Sequence, residues 1–199
     1  MTSRQKAKQH HKANLFVISA PSGTGKTTLV NQLKKQFDNL VVSISYTTRS
    51  PRKDEKHGID YFFIDEKEFK QKISEGFFAE WAPVYDNYYG TSKQFIDKNL
   101  AENKIVLLTI DTQGALQIKK IYPDAILIGI LPPSIEEQKK RLEKRGETDE
   151  NIKRRLIESS KERKILIEKY QYRFINRNLE KTAEKIASVI KKFADDKKC

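Results

Sequence analysis

One stretch constrains this chain more than any other: an apolar run, Leu15 to Ser19, leads straight into "APSGTGKT", residues 20–27. The pattern is that of a phosphate-binding loop, G-x-x-x-x-G-K-[ST], with Ala20 in place of its first glycine. Gly23 and Gly25 let backbone N–H groups turn inward with no Cβ in the way, and Leu29, Val30, Leu33 and Phe37 then recur at helical spacing. Strand, loop and helix in that order put the positive end of a helix dipole against an anion. Ser22, Gly23, Thr24, Gly25, Lys26, Thr27 and Thr28 are therefore expected to cradle a nucleoside triphosphate. In that arrangement Lys26 reaches the β and γ phosphates and the Thr27 hydroxyl takes Mg²⁺.

Further short apolar runs at Leu40 to Ile44, Lys104 to Ile110 and Ala125 to Leu131 are spaced widely enough for helical crossovers. They predict an α/β fold, a parallel sheet flanked by helices, with a core of residues 14–44 and 92–199. Residues 45–91 read differently: "YFFI", "GFFAEWAPVY" and "NYYG" gather most of the aromatics into short alternating stretches. A small mixed α/β insertion fits them, with one helix near Asp65 to Ser74 capped through the Asp65 and Glu68 spacing. Most of its aromatics should simply fill the insertion's own core. Ser134 and Glu137 form a second capping pattern, opening charged helices that run to about Lys169 and are broken by "RGETDE". Such polar helices suit a mobile lid, about residues 135–160. A strand at Tyr172 to Ile175 and an amphipathic helix from about Glu180 to Phe193 complete the pattern.

The 199 residues carry 39 Lys and Arg against 27 Asp and Glu, a net +12 that suits a polyanionic partner, either nucleic acid or nucleotide. Arg4, Lys6, Lys8 and Lys12 hold four of those charges within residues 1–13, which read as a disordered basic tail with His10 and His11 solvated. No run of about 18 apolar residues predicts a membrane span, and no secretory signal pattern stands at the N-terminus. A cytoplasmic protein without membrane partners is expected. The one cysteine, Cys199, excludes an internal disulfide and a multi-cysteine metal site.

On the acceptor side, Arg49 and Arg52 flank Pro51 in an irregular loop that suits bidentate capture of a phosphate. Taken in order, "SAPSGTGKTTL", "SYTTRSPR", "HGIDYFF", "FFAEWAPVYDNYYGTS", "DTQGA", "ILPPS" and "RLEKRG" resemble the guanylate kinase family of P-loop nucleoside monophosphate kinases, from Leu15 to about Phe193. The resemblance implies ATP- and Mg²⁺-dependent phosphorylation of GMP or dGMP. By position, Arg49, Arg52, Tyr61 and Tyr89 match the residues that hold the GMP phosphate, and Ser45, Glu80, Thr91 and Asp111 those around the guanine. A carboxylate at Glu80 can accept from guanine N1–H and its 2-amino group, whereas adenine offers no donor at N1. Arg141, Arg145 and Arg155 match lid arginines that, with Lys26, neutralise the moving phosphoryl group. Asn176 matches an asparagine near the adenine.

The chain departs from the family in two places. Thr109 stands where an aspartate precedes Asp111 by two residues, which removes a charge from the metal side, and Arg177 and Asn178 replace two acids after the last strand. A related P-loop kinase acting on a ribose bisphosphate, a non-catalytic phosphopeptide-binding domain of the same fold, and a nucleic-acid binder are the competing readings. Retention of Ser45, Glu80 and Thr91 disfavours the first, and Lys26, Arg141 and Arg145 the second; the third rests on charge alone. The sequence leaves monomer and homodimer both open.

Overall fold

The computed structural model describes residues 13–84 and 86–194. The basic tail up to residue 12 and Cys199 lie outside the described residues. Ala13, placed in the tail by sequence, is buried, and its N–H donates to the Phe193 carbonyl at 2.9 Å, so it belongs to the folded unit.

The strands β1 (Leu15–Ser19), β2 (Leu40–Val42), β7 (Ile105–Leu108), β8 (Ile126–Leu131) and β9 (Tyr172–Ile175) form a parallel sheet in the order β2-β7-β1-β8-β9. The three central strands are buried at every residue because both faces are covered, and only Ser19 at the end of β1 is polar. Phe16 and Ile18 point to one side, where α1 (Lys26–Lys34) and α7 (Leu179–Phe193) supply Leu29, Leu33, Ile186 and Ile190. Leu15 and Val17 point to the other, toward Ile96 of α3 (Lys93–Ala101), Ile118 of α4 (Thr112–Ile121) and Leu166 of α6 (Asp149–Lys169). Between β1 and its neighbours the chain order reverses, and in open α/β sheets ligands bind at the carboxyl ends of strands at such a switch point. Both the glycine turn after β1 and Thr109 to Asp111 after β7 lie there.

Between β2 and α3 stands a second sheet, β3 (Tyr46–Thr47), β4 (Phe62–Phe63), β5 (Phe78–Val84) and β6 (Asn87–Ser92), in the order β4-β3-β6-β5. Its helix α2 (Glu66–Ser74) is capped as its sequence predicts, Asp65 accepting from the Glu68 N–H at 2.7 Å. Stacked rings fill this small core: Tyr46 on Phe62 at 4.6 Å and Phe69 on Phe78 at 4.5 Å between centroids. Helix α5 (Ile135–Glu143) is capped by Ser134, which accepts from the Glu137 N–H at 3.1 Å. Helices α5 and α6 bury more than their charge suggests, inserting Gln138, Leu142, Ile152, Ser159 and Leu166. No helix among the described residues is long and apolar enough to cross a membrane.

Candidate active site

The glycine turn is held from within. Gly23 and Gly25 adopt φ of 84° and 87°, a region that side chains disfavour, and buried Thr24 donates its hydroxyl to the Pro21 carbonyl at 2.7 Å. Helices α2 to α7 each have a side-chain cap, from Asp65, Ser92, Asp111, Ser134, Thr148 and Asn178 respectively. Helix α1 begins at Gly25 with none, so its first amides and its dipole are left for an anion.

From this cradle a cleft extends in two directions. A cavity of about 380 Å³ is lined by Ser22 and Lys26, by Ser45, Arg49, Arg52, Tyr61, Glu80 and Tyr89, by Thr109 and Asp111, and by Arg155 and Glu162 of α6. A second, of about 490 Å³, wraps residues 20–27 with Arg52, Tyr61, Arg145, Glu147 and Arg155. A third, of about 450 Å³, lies among Gly23, Gly25, Arg141, Lys144, Arg145, Asn176, Arg177 and Leu179. Shared walls make the three one continuous cleft with the phosphate cradle in its middle. Thr28 is exposed and lines none of them.

At one end, Glu80 is 3% exposed and accepts from the Thr91 hydroxyl at 2.5 Å. Burial pushes its carboxyl up to about 7; the Thr91 hydrogen bond opposes that rise and the Asp111 charge adds to it. Thr91 thus acts on the cavity through Glu80. Gly114 stands directly behind: a Cβ there would overlap the Glu80 carboxylate. Asp111 uses one carboxylate oxygen to cap α4, accepting from the N–H groups of Gln113 at 2.6 Å and Gly114 at 3.1 Å. Nearby, Glu55 holds the Arg49 guanidinium through both its oxygens, at 2.9 and 2.7 Å, and the guanidinium lies 5.5 Å from the centre of the Tyr61 ring.

In the middle, burial lowers the Lys26 pKa while the carboxylates of Glu162 and Asp111 counter the effect. Glu162, which the sequence reading missed, is itself pushed up to about 7 by burial, with Lys26 pulling the other way. Its signal was a stripe of Ile152, Arg155, Ser159, Glu162 and Leu166 along α6 at spacings of three and four, submerged in a helix charged on every side. Arg155 donates to the Ser22 hydroxyl at 2.8 Å and pairs with Glu147 at 3.2 Å. Arg141 donates to Glu137 at 2.8 Å, and Arg154 pairs at 3.6 Å with Asp86 in the β5–β6 turn.

At the far end, Asn176 is buried and its amide donates to the Thr24 carbonyl at 2.7 Å. It lines the third cavity, and its amide nitrogen is committed to the cradle itself.

This arrangement can grip a chain of phosphates by backbone and cations, and an acceptor with a hydrogen-bond donor edge by buried carboxylate. Comparison with known proteins points the same way. The model of the guanylate kinase family matches residues 12–193. A guanylate kinase of Nitrosomonas europaea is 46% identical over 176 residues, covering 88% of each chain. One from Caldanaerobacter subterraneus subsp. tengcongensis is 48% identical over 177 residues, 88% of this chain and 85% of the relative. The crystal structure of guanylate kinase from Anaplasma phagocytophilum superposes with a TM-score of 0.78 at 31% identity, over 94% of this chain and 89% of that one.

Proposed function

The chain belongs to the guanylate kinase family, and from that premise we propose that it transfers the γ-phosphoryl group of ATP to GMP or dGMP in the cytoplasm, releasing ADP and GDP or dGDP. The observation that carries the acceptor assignment is Glu80, a buried carboxylate on the same cavity as the cradle lysine. Ionised, it accepts from guanine N1–H and the 2-amino group; adenine presents an acceptor at N1 and leaves the carboxylate unpaired. A site built around a base's donors can discriminate by orders of magnitude for that reason. Ser45 and Asp111 complete the wall around the base, while Arg49, Arg52, Tyr61 and Tyr89 hold the acceptor phosphate.

The donor phosphates lie on the open N-terminus of α1, with the turn from Ser22 to Thr27 around them. Its nucleoside extends toward Asn176 and Arg177. Phosphoryl transfer asks for positioning and charge neutralisation rather than covalent help. Lys26 supplies one cation from the core. Arg141, Arg145 and Arg155 supply others from α5, the turn after it and α6, which act as a lid and exclude water when they close over the cleft. No general base is required, because the attacking atom is already an anionic phosphate oxygen.

The residues around the cradle suit Mg²⁺. Thr27 offers a hydroxyl at the cradle, which suits a cation held mostly by phosphates and water. When bound, the ion neutralises phosphate charge. Thr109 lines the same cavity as Asp111 and brings no charge to it.

The test is a coupled assay of ADP formation from ATP and Mg²⁺ with GMP, dGMP, AMP, UMP and a ribose bisphosphate as separate acceptors. Turnover confined to GMP and dGMP is expected; turnover with the bisphosphate, or none with either guanine nucleotide from folded protein, would overturn the reading.

A further inference from the structure

Helices α5 and α6 are dense in charge, yet each buries a neutral polar side chain where an apolar one would pack without needing a partner. Gln138 is 1% exposed and Ser159 8%. They are joined: the Ser159 hydroxyl donates to the Gln138 side-chain oxygen at 2.9 Å. The Gln138 amide in turn donates to the Ser22 carbonyl at 2.8 Å, across 116 positions of sequence. Ser22 is gripped a second time, because its hydroxyl accepts from Arg155 at 2.8 Å. The α5 wall is close here as well: a Cβ on Gly23 would stand 3.6 Å from the Gln138 carbonyl oxygen and from Leu142.

One residue of the cradle therefore receives hydrogen bonds from both lid helices, and the connecting pair is buried. We propose that Gln138 and Ser159 are positioning residues, a polar strap that docks α5 and α6 onto Ser22 so that the donor-nucleotide site is assembled before the acceptor arrives. The physical case has two parts. A carbonyl facing a polyphosphate repels it, and the Gln138 amide keeps the Ser22 carbonyl engaged elsewhere. The same strap fixes the spacing between α6 and the loop, which sets where Arg155 meets the cradle. Buried networks of this kind specify one arrangement because every alternative leaves a donor or acceptor unpaired. The inference rests on reading the cradle as the ATP site.

The experiment is calorimetric binding of a non-hydrolysable ATP analogue, without GMP, to the wild type and to the Gln138→Leu/Ser159→Ala double variant. Removing both side chains together leaves neither of them orphaned and frees only the Ser22 carbonyl, and thermal melting checks the fold. The analogue should bind about tenfold more weakly to the double variant, as expected for the loss of a buried hydrogen-bond network. GMP binding measured alone should stay within about twofold, since neither Gln138 nor Ser159 lines the cavity that holds Glu80. Gln138→Leu alone should match the double variant, because one strap cannot be cut twice. If the double variant melts early, Ser159→Ala alone carries the test, with a loss of about threefold expected for one hydroxyl. Wild-type analogue affinity in a folded variant, or equal losses for analogue and GMP, would overturn the strap. A wild type that binds no analogue at all would instead remove the ATP-site reading, and the strap with it.

Discussion

The cradle and the acceptor pocket share a cleft but are made by different means. The cradle comes from eight consecutive residues, 20–27, and from the free end of one helix. Its grip is exercised by backbone amides and one lysine, groups that recognise phosphate and nothing else about a ligand. The acceptor pocket draws side chains from Ser45 to Tyr89, from Asp111, and from Glu162 on α6. The selectivity proposed for it depends on a carboxylate kept out of water, which raises the cost of ionising it. Phosphate grip and base choice are thus separable, and damage to one region should leave the other's ligand unaffected.

The largest effect belongs to the cradle. Lys26→Met should lower kcat about 1000-fold with every acceptor, as loss of a preorganised charge at the transferring group does, while calorimetric GMP affinity stays within about twofold. A parallel loss of GMP binding would break the comparison. Next comes the pocket: Gly114→Ala drives a methyl into the Glu80 carboxylate. We expect kcat/KM for GMP to fall about 100-fold and stability to fall by about 1–3 kcal/mol, with KM for ATP little changed.

A pH series sharpens the same distinction. With the Glu80 carboxyl raised to about 7, lowering pH from 8 to 6 turns most of it into the acid, which cannot accept from both guanine donors at once. The KM for GMP should rise about tenfold over that interval and the affinity for the ATP analogue should change less. Stability runs in the opposite sense. A carboxyl whose folded pKa exceeds its unfolded value stabilises the fold when protonated, a contribution present below about 4.5 and lost as pH rises through about 7. The smallest effect is expected at Thr109. Thr109→Asp adds a charge to the metal side of the cavity and should lower the Mg²⁺ concentration for half-saturation about threefold; an unchanged titration would show that residue 109 does not sense the ion.

Legibility in the sequence follows the same divide. The cradle is contiguous, so "APSGTGKT" after an apolar run sufficed to locate it. The strands and the caps at Asp65 and Ser134 were equally plain, because period and capping are local properties. Arg49, Tyr61, Glu80 and Tyr89 look like surface and core residues until a family resemblance collects them, since what unites them is the folding of one sheet over another. Glu162 and Ser159 lie on a stripe that the charge around α6 masks, and Gln138 had no local signal distinct from a solvated helix. Gly114 was hidden for another reason: what it provides is the absence of a side chain behind Glu80. Asp111 and Asn176 also carry structural duties: Asp111 caps α4 through its own neighbours, and Asn176 holds Thr24 by a contact that only the tertiary fold reveals.

The most direct measurement compares Glu80→Gln with the wild type, a swap that keeps shape while removing the charge and adding a donor against guanine's own donors. Catalytic efficiency with GMP should drop about 100-fold and the preference for GMP over AMP should collapse, with binding of the ATP analogue within about twofold. GMP efficiency held within about threefold, or lost together with analogue binding in a folded protein, would contradict the division of the cleft into a generic cradle and a selective pocket.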